Sequence, residues 1–231
     1  MVFDPFGWAA ASFREPARGP RHIIHPGWPE STPYVRLPDG GRLRLRPLTS
    51  RDGRHWCQQR LLDEALLRPV EPTAHDGWEA AHSPAAWRAF FSGIRSSARR
   101  GDVVPLVIEL DGRFVGQVTL GTIQHGSVSD CWIGYWVFSA EQGRGVATAA
   151  CALGTDHAFR RLGLHRVTAT FLPDNPASGR VLELNGFREE GYLRANLHID
   201  GRWRDHHFVA QVIGDHRDTC VERLRRAGRL R

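Results

Sequence analysis

The chain has 231 residues, 41% of them hydrophobic, and carries a formal net charge of +6 with a pI of about 9.9. This length fits one ordinary domain with extensions, and no apolar run is long enough to cross a bilayer, which excludes a membrane-spanning protein. The basic charge favours acidic or phosphate-bearing partners.

Cysteine usage and the start of the chain bear on the cellular compartment. The four cysteines stand at positions 57, 131, 151 and 220, and no pair has the spacing of metal ligands. The first residues lack the basic region and the long apolar stretch of a secretory signal. We therefore expect a reduced, cytoplasmic protein without a metal site.

The first part of the chain predicts an arm, a hairpin and two helices. Residues 1–34 are rich in proline, glycine and tryptophan and show no clear period, so we expect an arm outside the domain. A Pro-Asp-Gly-Gly turn at 38–41 predicts a short hairpin. Helical spacing predicts a helix over 50–69. A serine-proline start and a glycine stop predict another over 83–101.

The middle of the chain alternates strands and helices. Apolar runs predict strands at 103–110, 114–123, 131–138 and 165–172, and two more strands around a turn at 200–201. Helices are predicted behind the third and fourth of these strands, over 146–163 and 175–186.

The last segment, 215–231, is rich in arginine and predicts a short helix. Two interpretations stay open for it: a solvated tail, or a contact with ribosomal RNA or another polyanion. The predicted organisation is therefore an N-terminal arm at 1–34, one domain at 35–214 and a basic C-terminal tail at 215–231.

The heptapeptide EQGRGVA at 141–147 lies between a predicted strand and a predicted helix. The first N–H groups of a helix lack internal partners, and together with the helix dipole they form an anion site. Glycine lets a phosphate approach the backbone closely, and Arg144 adds a positive charge. The spacing matches neither the P-loop nor the dinucleotide fingerprint, so a phosphate site and a plain helix-starting loop both stay open.

Two blocks in this order resemble one family. The spacing Gln142-x-x-Gly145-x-Ala147 is similar to the pyrophosphate loop of the GNAT family, the GCN5-related N-acetyltransferases. The segment NPASGRVLELNGFREEG at 175–191 resembles its second CoA-contacting region. The segment IGYWV before the loop and the segment at 191–210 look like the RimJ/RimL branch, the ribosomal-protein-alanine N-acetyltransferases. The resemblance covers roughly residues 35–214.

The resemblance implies an α/β fold of the GNAT type. Its central sheet is mixed, mostly antiparallel and twisted, with about seven strands and about four flanking helices. Acetyl-CoA would bind in a V-shaped gap between the parallel strands 131–138 and 165–172, and CoA would leave as product. The residues that would hold it are Trp136, Val137, Phe138, Gln142, Gly143, Arg144, Gly145, Val146, Ala147, Thr148, Asn175, Ser178 and Arg180. A helix cap is the alternative role for Asn175.

The chemistry is attack of a neutral amine on a thioester. A protein N-terminal amine has a pKa of roughly 7.7–8.0 against about 10.4 for lysine, so its deprotonation costs ~3–4 kcal/mol less. An enzyme that acetylates N-termini can therefore work with a weak or water-relayed base. A backbone N–H near Val137 is the expected donor to the developing oxyanion.

The catalytic side chains follow from a departure from the family pattern. Many GNAT enzymes carry a tyrosine as proton donor where this chain has Leu182. Ser178 is the replacement candidate for the donor, and its alternative role is to satisfy a backbone amide. For the base, or for binding a cationic amine, we expect Glu71, with Asp130 as second choice. A plain surface carboxylate is the alternative for Glu71.

The acceptor side is less constrained by the sequence. Tyr192 and His198 are candidates for the acceptor groove, or ordinary strand residues. The leading hypothesis is an Nα-acetyltransferase that acts on a protein N-terminus such as that of a ribosomal protein. Alternatives are a small amine (a polyamine or an aminoglycoside), lysine side chains, another acyl group such as succinyl, or a ribosome assembly factor whose cofactor is incidental. The oligomeric state, monomer or dimer, stays open.

Overall fold

The centre of the protein is a twisted sheet of eight strands in the computed structural model, which describes residues 27–231. The strands are β1 (Val35–Arg36), β2 (Arg42–Pro47), β3 (Val103–Leu110), β4 (Arg113–Gln124), β5 (Asp130–Val137), β6 (Arg166–Phe171), β7 (Arg188–Ile199) and β8 (Arg202–Val212). Their order is β1-β2-β3-β4-β5-β6-β8-β7, and only β5 and β6 are parallel neighbours. The predicted mixed, mostly antiparallel sheet is confirmed, with one strand more than expected. Residues 1–26 of the predicted arm lie outside the described residues.

Four longer helices and three short ones surround the sheet within residues 27–231. The longer helices are α1 (Gly53–Leu62), α4 (Pro84–Arg100), α5 (Val146–Arg160) and α6 (Pro176–Leu184). The short ones are α2 (Glu64–Leu67), α3 (Trp78–Ala81) and α7 (Cys220–Arg226). The four longer helices correspond to the four predicted ones. Every helix in this part of the chain is too short or too polar to cross a bilayer.

Helix α4 shows how local sequence sets these boundaries. The Ser83 hydroxyl accepts a hydrogen bond from the Ala86 N–H at 3.2 Å, and Pro84 occupies the first helical position, where no N–H is needed. Gly101 ends the helix in the left-handed conformation at φ 91°. The cap, the start and the stop predicted for this helix are all confirmed.

The sheet has a separate hydrophobic core on each face. Alternate residues of β3 point to opposite sides: Leu106 and Ile108 pack into the core that contains α5, whereas Val103 and Val107 pack against α1 and α4. Both sides of β3 are buried, so this strand reads as a continuous apolar run.

Strands β5 and β6 pair only at one end. The last register pair is Trp132 with Thr168, after which each strand follows its antiparallel neighbour. Strand β5 stays with β4 as far as Val137, and β6 stays with β8 as far as Phe171. The two strands therefore diverge into a V-shaped gap, as the family resemblance implies.

The C-terminal segment packs on the domain. Leu224 and Leu230 are 2% and 4% exposed and belong to the same core as α5. The Asp156 carboxylate of α5 accepts hydrogen bonds from the N–H groups of Cys220 at 2.8 Å and Val221 at 3.1 Å. The predicted helix is present. A solvated tail does not describe this segment, because its apolar residues recur on one face and are buried.

We expect Leu224→Ala to lower the free energy of unfolding by about 2–5 kcal/mol, the usual cost of a buried leucine. Arg225→Ala is the matched control, because Arg225 is the next residue on the same helix and its side chain is exposed. Substitutions of exposed residues usually change the free energy of unfolding by no more than about 0.5 kcal/mol. Urea denaturation of both variants measures the difference. Equal stabilities would show that the C-terminal helix contributes nothing to the core.

Candidate active site

The gap between β5 and β6 opens into a cleft of about 1070 Å³. Its walls come from both strands, from the loop before α5 and from the start of α6. Ten of the predicted cofactor residues line it: Trp136, Val137, Gln142, Gly143, Gly145, Val146, Ala147, Thr148, Asn175 and Ser178. The cleft thus brings together most of the residues that sequence patterns selected from two separate blocks.

The loop before α5 leaves backbone N–H groups and open space at the start of the helix. Gly143 and Gly145 adopt left-handed backbone angles of φ 74° and 81°, and a Cβ added to either would meet nothing within 4 Å. Helix α5 has 15 residues, no side chain caps its N-terminus, and its first turn has no acidic residue. The first-turn amides and the open space beside the two glycines therefore fit a phosphate group.

The Arg144 side chain forms ion pairs next to the loop and does not line the cleft. Its guanidinium pairs with Asp39 at 2.7 Å and also with Glu141, and Glu141 pairs in turn with Arg113 at 2.8 Å. These ion pairs tie the loop to the β1–β2 turn. Arg144 does not line the cleft, so its predicted contact with the cofactor phosphate is not seen in the cleft lining.

Two other predicted cofactor residues also lie outside the cleft lining. Phe138 follows β5, and its N–H donates to the Val115 carbonyl at 2.9 Å, which continues the contact with β4. Arg180 is exposed and pairs with Glu183 on its own helix. A contact of Arg180 with a CoA phosphate stays a prediction.

The start of α6 has a side-chain cap, and a hydroxyl there contacts the hydroxyl of a tyrosine on β5. The Asn175 side chain accepts a hydrogen bond from the Ser178 N–H at 3.2 Å, so the helix-cap role of Asn175 is confirmed. The Ser178 Oγ lies 3.2 Å from the phenol oxygen of Tyr135 on β5, and that phenol is also 3.3 Å from the Ser178 carbonyl. The Ser178 hydroxyl thus contacts a phenol, whereas its own backbone N–H is the amide that Asn175 satisfies.

Burial raises the pKa of Tyr135 well above its usual value, since the ionised phenol would lose its hydration. The phenol therefore stays protonated and can donate to Ser178. Leu182, at the position for which the family resemblance implies a tyrosine, is 1% exposed and packs in the core. Tyr135 accordingly places a phenol in the cleft from strand β5 rather than from helix α6.

Another wall of the cleft holds an ion pair with a buried arginine. Glu71 lines the cleft, as predicted, and its carboxylate pairs with Arg60, whose side chain is 5% exposed. The guanidinium lies over three rings, 5.0, 5.5 and 5.2 Å from the centroids of Trp56, Trp78 and Trp136. Burial lowers the pKa of Arg60 to about 9, so it remains a cation at neutral pH. Glu71, whose side chain is 19% exposed, is therefore a carboxylate paired with a buried cation.

The loop that carries Glu71 is fastened to the β7–β8 hairpin. Pro72 forms a β-bridge with Ile199, and the Thr73 N–H donates to the His198 carbonyl at 2.9 Å. The Thr73 hydroxyl also lies 2.9 Å from the His198 ring and accepts from the Gly201 N–H at 2.9 Å. These contacts hold the Glu71 loop against the β7–β8 hairpin.

Three candidates from the sequence do not line the cleft. Asp130, the second choice for the base, pairs in register with Arg166 at the closed end of the V, so it is wrong as a cleft carboxylate. His198 is used in fastening the loop, and Tyr192 is 49% exposed on β7. Their positions agree with the alternative interpretation, in which Tyr192 and His198 are ordinary strand residues and not part of an acceptor groove.

Residues 42–188 match the acetyltransferase (GNAT) domain family, which is more than half of the chain. The chain therefore belongs to the GNAT acetyltransferase family, and the predicted enzyme class is confirmed.

Several relatives narrow this likeness to one branch. Mycobacterium smegmatis RimJ, solved in complex with CoA-disulfide, is 46% identical with a TM-score of 0.87, and the match covers 89% of this chain and 98% of that one. The ribosomal protein uS5-alanine N-acetyltransferase of Escherichia coli is 29% identical over 82% of this chain and 96% of that protein. The probable N-acetyltransferase YjcK of Bacillus subtilis is 43% identical over 46% of this chain, but only 58% of that protein is spanned. The predicted likeness to the RimJ/RimL branch is confirmed.

Sequence reasoning missed Arg60 and Tyr135. The sequence does contain one indication that Arg60 contacts a tryptophan. Trp56 and Arg60 are four residues apart, so they lie on the same face of a helix. Tyr135 and Ser178 are 43 residues apart on different elements, so no local pattern connects them.

Proposed function

We propose that the protein is an acetyl-CoA-dependent Nα-acetyltransferase that acts on the N-terminal amine of a protein, with ribosomal proteins as the acceptor class. The observation that carries this proposal is the parting of β5 and β6 beside the uncapped N-terminus of α5. The names of the RimJ and uS5-alanine relatives support the choice of acceptor.

The donor half of the cleft would bind acetyl-CoA mainly through backbone groups. Beyond Trp132 the edge of β5 that faces β6 leaves its pairing groups open to an extended chain, and pantetheine amides can pair there as an added strand does. The amides of 143–148 would bind the pyrophosphate. A backbone N–H near Val137 would donate to the charge that develops on the thioester oxygen.

Ser178 is the proposed proton donor to the departing sulfur. When the amine has added and the C–S bond breaks, the electron pair stays on sulfur, and the Ser178 hydroxyl supplies its proton. The surplus proton on the nitrogen of the former amine passes through water back to the Ser178 oxygen. Tyr135 positions this hydroxyl, since its phenol oxygen lies 3.2 Å from Oγ and 3.3 Å from the Ser178 carbonyl, and burial keeps the phenol protonated.

The charge balance of the cleft favours a peptide over a polycation. Among its described lining residues only Glu71 and Glu141 are carboxylates, and each is paired with arginine. A polyamine or an aminoglycoside carries several positive charges and requires uncompensated carboxylates. A protein N-terminus has a pKa of roughly 7.7–8.0, is partly neutral at pH 7 and makes no such demand.

The function is tested by incubation with acetyl-CoA and four acceptors, followed by intact-mass measurement. The acceptors are a peptide with a free N-terminal alanine, the same peptide blocked at its N-terminus but containing lysine, spermidine, and an aminoglycoside. We expect one acetyl group on the free N-terminus and none on the blocked peptide. Faster transfer to spermidine or to the aminoglycoside would replace the peptide proposal, and transfer to none of the four would refute it.

We expect Glu71→Gln to raise the acceptor KM by about tenfold or more, because a charged hydrogen bond of roughly 1.5–3 kcal/mol to the amine is lost. The KM for acetyl-CoA should stay the same. Glu64→Gln is the matched control, since Glu64 is an exposed carboxylate that pairs with Arg68 outside the cleft lining. An acceptor KM equal to that of the wild type would remove Glu71 from the acceptor site.

A further inference from the structure

One imidazole ring belongs to the cleft wall. Among the described lining residues His206 on β8 is the one histidine, and 3% of its surface is exposed. Its Nδ1 atom lies 3.1 Å from the Arg204 carbonyl oxygen, which can only accept a hydrogen bond, so Nδ1 carries the ring hydrogen. In the neutral ring the other nitrogen, Nε2, therefore holds a lone pair and no hydrogen.

The Nε2 atom of His206 is open to the cleft. It makes no hydrogen bond within residues 27–231, and the nitrogens of this part of the chain that lack both a partner and accessible surface do not include it. The exposed remainder of the side chain therefore includes Nε2. Phe208, two residues along the same strand face, and Leu193, the register partner on β7, both line the cleft, so this surface faces the cleft.

The sheet places His206 on the same face as the Arg60–Glu71 pair. Register partners share a face of a sheet, and so do alternate residues of one strand. Followed in this way from β8 through β6 to β5, the face of His206 carries Trp136, whose ring centroid lies 5.2 Å from the Arg60 guanidinium. Tyr135 is the next residue along β5 and points to the opposite face, where it contacts Ser178.

His206 also lies at the depth of the reacting groups. The last register pair of β6 and β8 is Phe171 with His207, so His206 is one residue beyond it and level with position 172. The pair of Trp132 with Thr168 fixes the register of β5, which makes position 136 level with 172. The imidazole and the hydroxyl of the proposed proton donor thus flank the gap at nearly the same depth, from opposite faces of the sheet.

The other ionisable oxygens of the described cleft wall are in use. The carboxylates of Glu71 and Glu141 bind arginine side chains, and burial raises the pKa of Tyr135, so the phenol keeps its proton. Burial lowers the pKa of His206, because the charged ring would lose its hydration, although the hydrogen bond to the Arg204 carbonyl acts in the opposite direction. The ring is therefore neutral at pH 7, with a free lone pair.

We propose that His206 is the base of the acetyl transfer. When the amine nitrogen has added to the thioester carbon it carries one proton too many, and Nε2 takes this proton through one water of the cleft. The imidazolium then returns it through water to the Ser178 oxygen, which has given its own proton to the departing sulfur, so both residues end the cycle in their starting state. This inference rests on the proposed function and names the group that moves the proton on the acceptor face.

The first test is His206→Asn in single-turnover acetylation of a peptide with a free N-terminal alanine. The asparagine amide keeps an N–H for the Arg204 carbonyl and removes the nitrogen that takes the proton. At saturating acetyl-CoA we expect the rate to fall by about 100-fold, within the usual contribution of a general base. The Kd for acetyl-CoA should stay near the wild-type value, and a wild-type rate would overturn the proposal.

His207→Asn is the matched control. His207 is the next residue on β8 and lies outside the cleft lining, and its ring stacks on Phe171 on the other face, with 4.9 Å between the centroids. This variant should keep the wild-type rate. Equal losses in the two variants would assign the effect to the strand and not to the base.

A second variant separates a base from a packing residue. His206→Ala removes the whole ring, and imidazole added to the solution should restore part of the lost rate in proportion to its concentration. Pyrazole has the same shape but is a much weaker base, so it should restore none. Equal rescue by the two compounds would show that the ring only fills space, and absence of rescue by imidazole would also count against the proposal.

The wild-type enzyme decides if neither variant binds acetyl-CoA and both are therefore misfolded. The charged groups that act on the ring are Arg204 and Asp205 on β8 and Asp174 in the loop before α6. Both the bound amine and Nε2 must be unprotonated, so the plot of log kcat against pH should steepen below a pH of about 6.5. A constant slope would overturn the role of His206 while peptide acetylation still stands. Absence of acetylation by the wild-type enzyme would refute the proposed function itself.

Discussion

Gly145→Leu should weaken acetyl-CoA binding by at least about 100-fold. Gly145 lines the cleft at φ 81°, and the space where its Cβ would lie is open. A leucine side chain would fill the volume proposed for the pyrophosphate and displace it from the first-turn amides of α5. Loss of two charge-assisted hydrogen bonds of roughly 1.5–3 kcal/mol each accounts for this change in Kd. Isothermal titration calorimetry with acetyl-CoA measures it.

Gly126→Leu is the matched control for backbone strain. Gly126 has φ 80°, a Cβ there would also meet nothing within 4 Å, and it lies outside the cleft lining. Both substitutions carry a left-handed penalty of about 1–2 kcal/mol, so both should lower thermal stability similarly. Only the change at 145 should affect acetyl-CoA. An unchanged Kd in Gly145→Leu would refute the placement of the pyrophosphate.

Ser178→Ala should lower kcat by roughly 100-fold, the lower end of the usual contribution of general acid catalysis. The Tyr135 phenol keeps the Ser178 carbonyl as a partner at 3.3 Å, so the start of α6 should not rearrange. The Kd for acetyl-CoA should stay near the wild-type value, because the pyrophosphate amides are untouched. Single-turnover kinetics at saturating acetyl-CoA measure the step, and a wild-type rate would return Ser178 to a structural role.

Tyr135→Phe distinguishes a positioning role from independent catalysis. Removing the phenol frees the Ser178 hydroxyl to turn away from the sulfur, so we expect a drop in kcat of about tenfold, smaller than that of Ser178→Ala. If Tyr135 acts through Ser178, the double variant should be no slower than Ser178→Ala alone. A further drop in the double variant would contradict this arrangement.

Much of the fold was predictable because its signals are local. The ends of α4 depend on Ser83, Pro84 and Gly101, each of which acts through its own backbone geometry. The loop at 141–147 was recognisable for the same reason, since left-handed angles require glycine. The short helix α3 escaped detection because an element of four residues leaves little periodicity, and the single helix predicted over 50–69 is divided into α1 and α2.

Candidate side chains were placed less well than backbone features. Asp130 lies on β5, one of the two strands that form the V, but at the end where β5 and β6 pair. A sequence pattern does not show which end of a strand opens into the cleft. The C-terminal helix was visible as a helix, yet its burial depends on α5 offering Asp156 and an apolar surface. Arg144 has the charge expected of a phosphate ligand, but Asp39 and Glu141 compensate it.

The sequence by itself determined the family, the order of the elements and the glycine loop, because these depend on residues that are near each other along the chain. Only the tertiary structure decided which side chains contact each other in the cleft. The Tyr135–Ser178 contact joins β5 to α6, and the Arg60–Glu71 pair is enclosed by tryptophans from three elements. Hydroxyls and charges acquire such partners only when the sheet brings distant segments together and removes water from them.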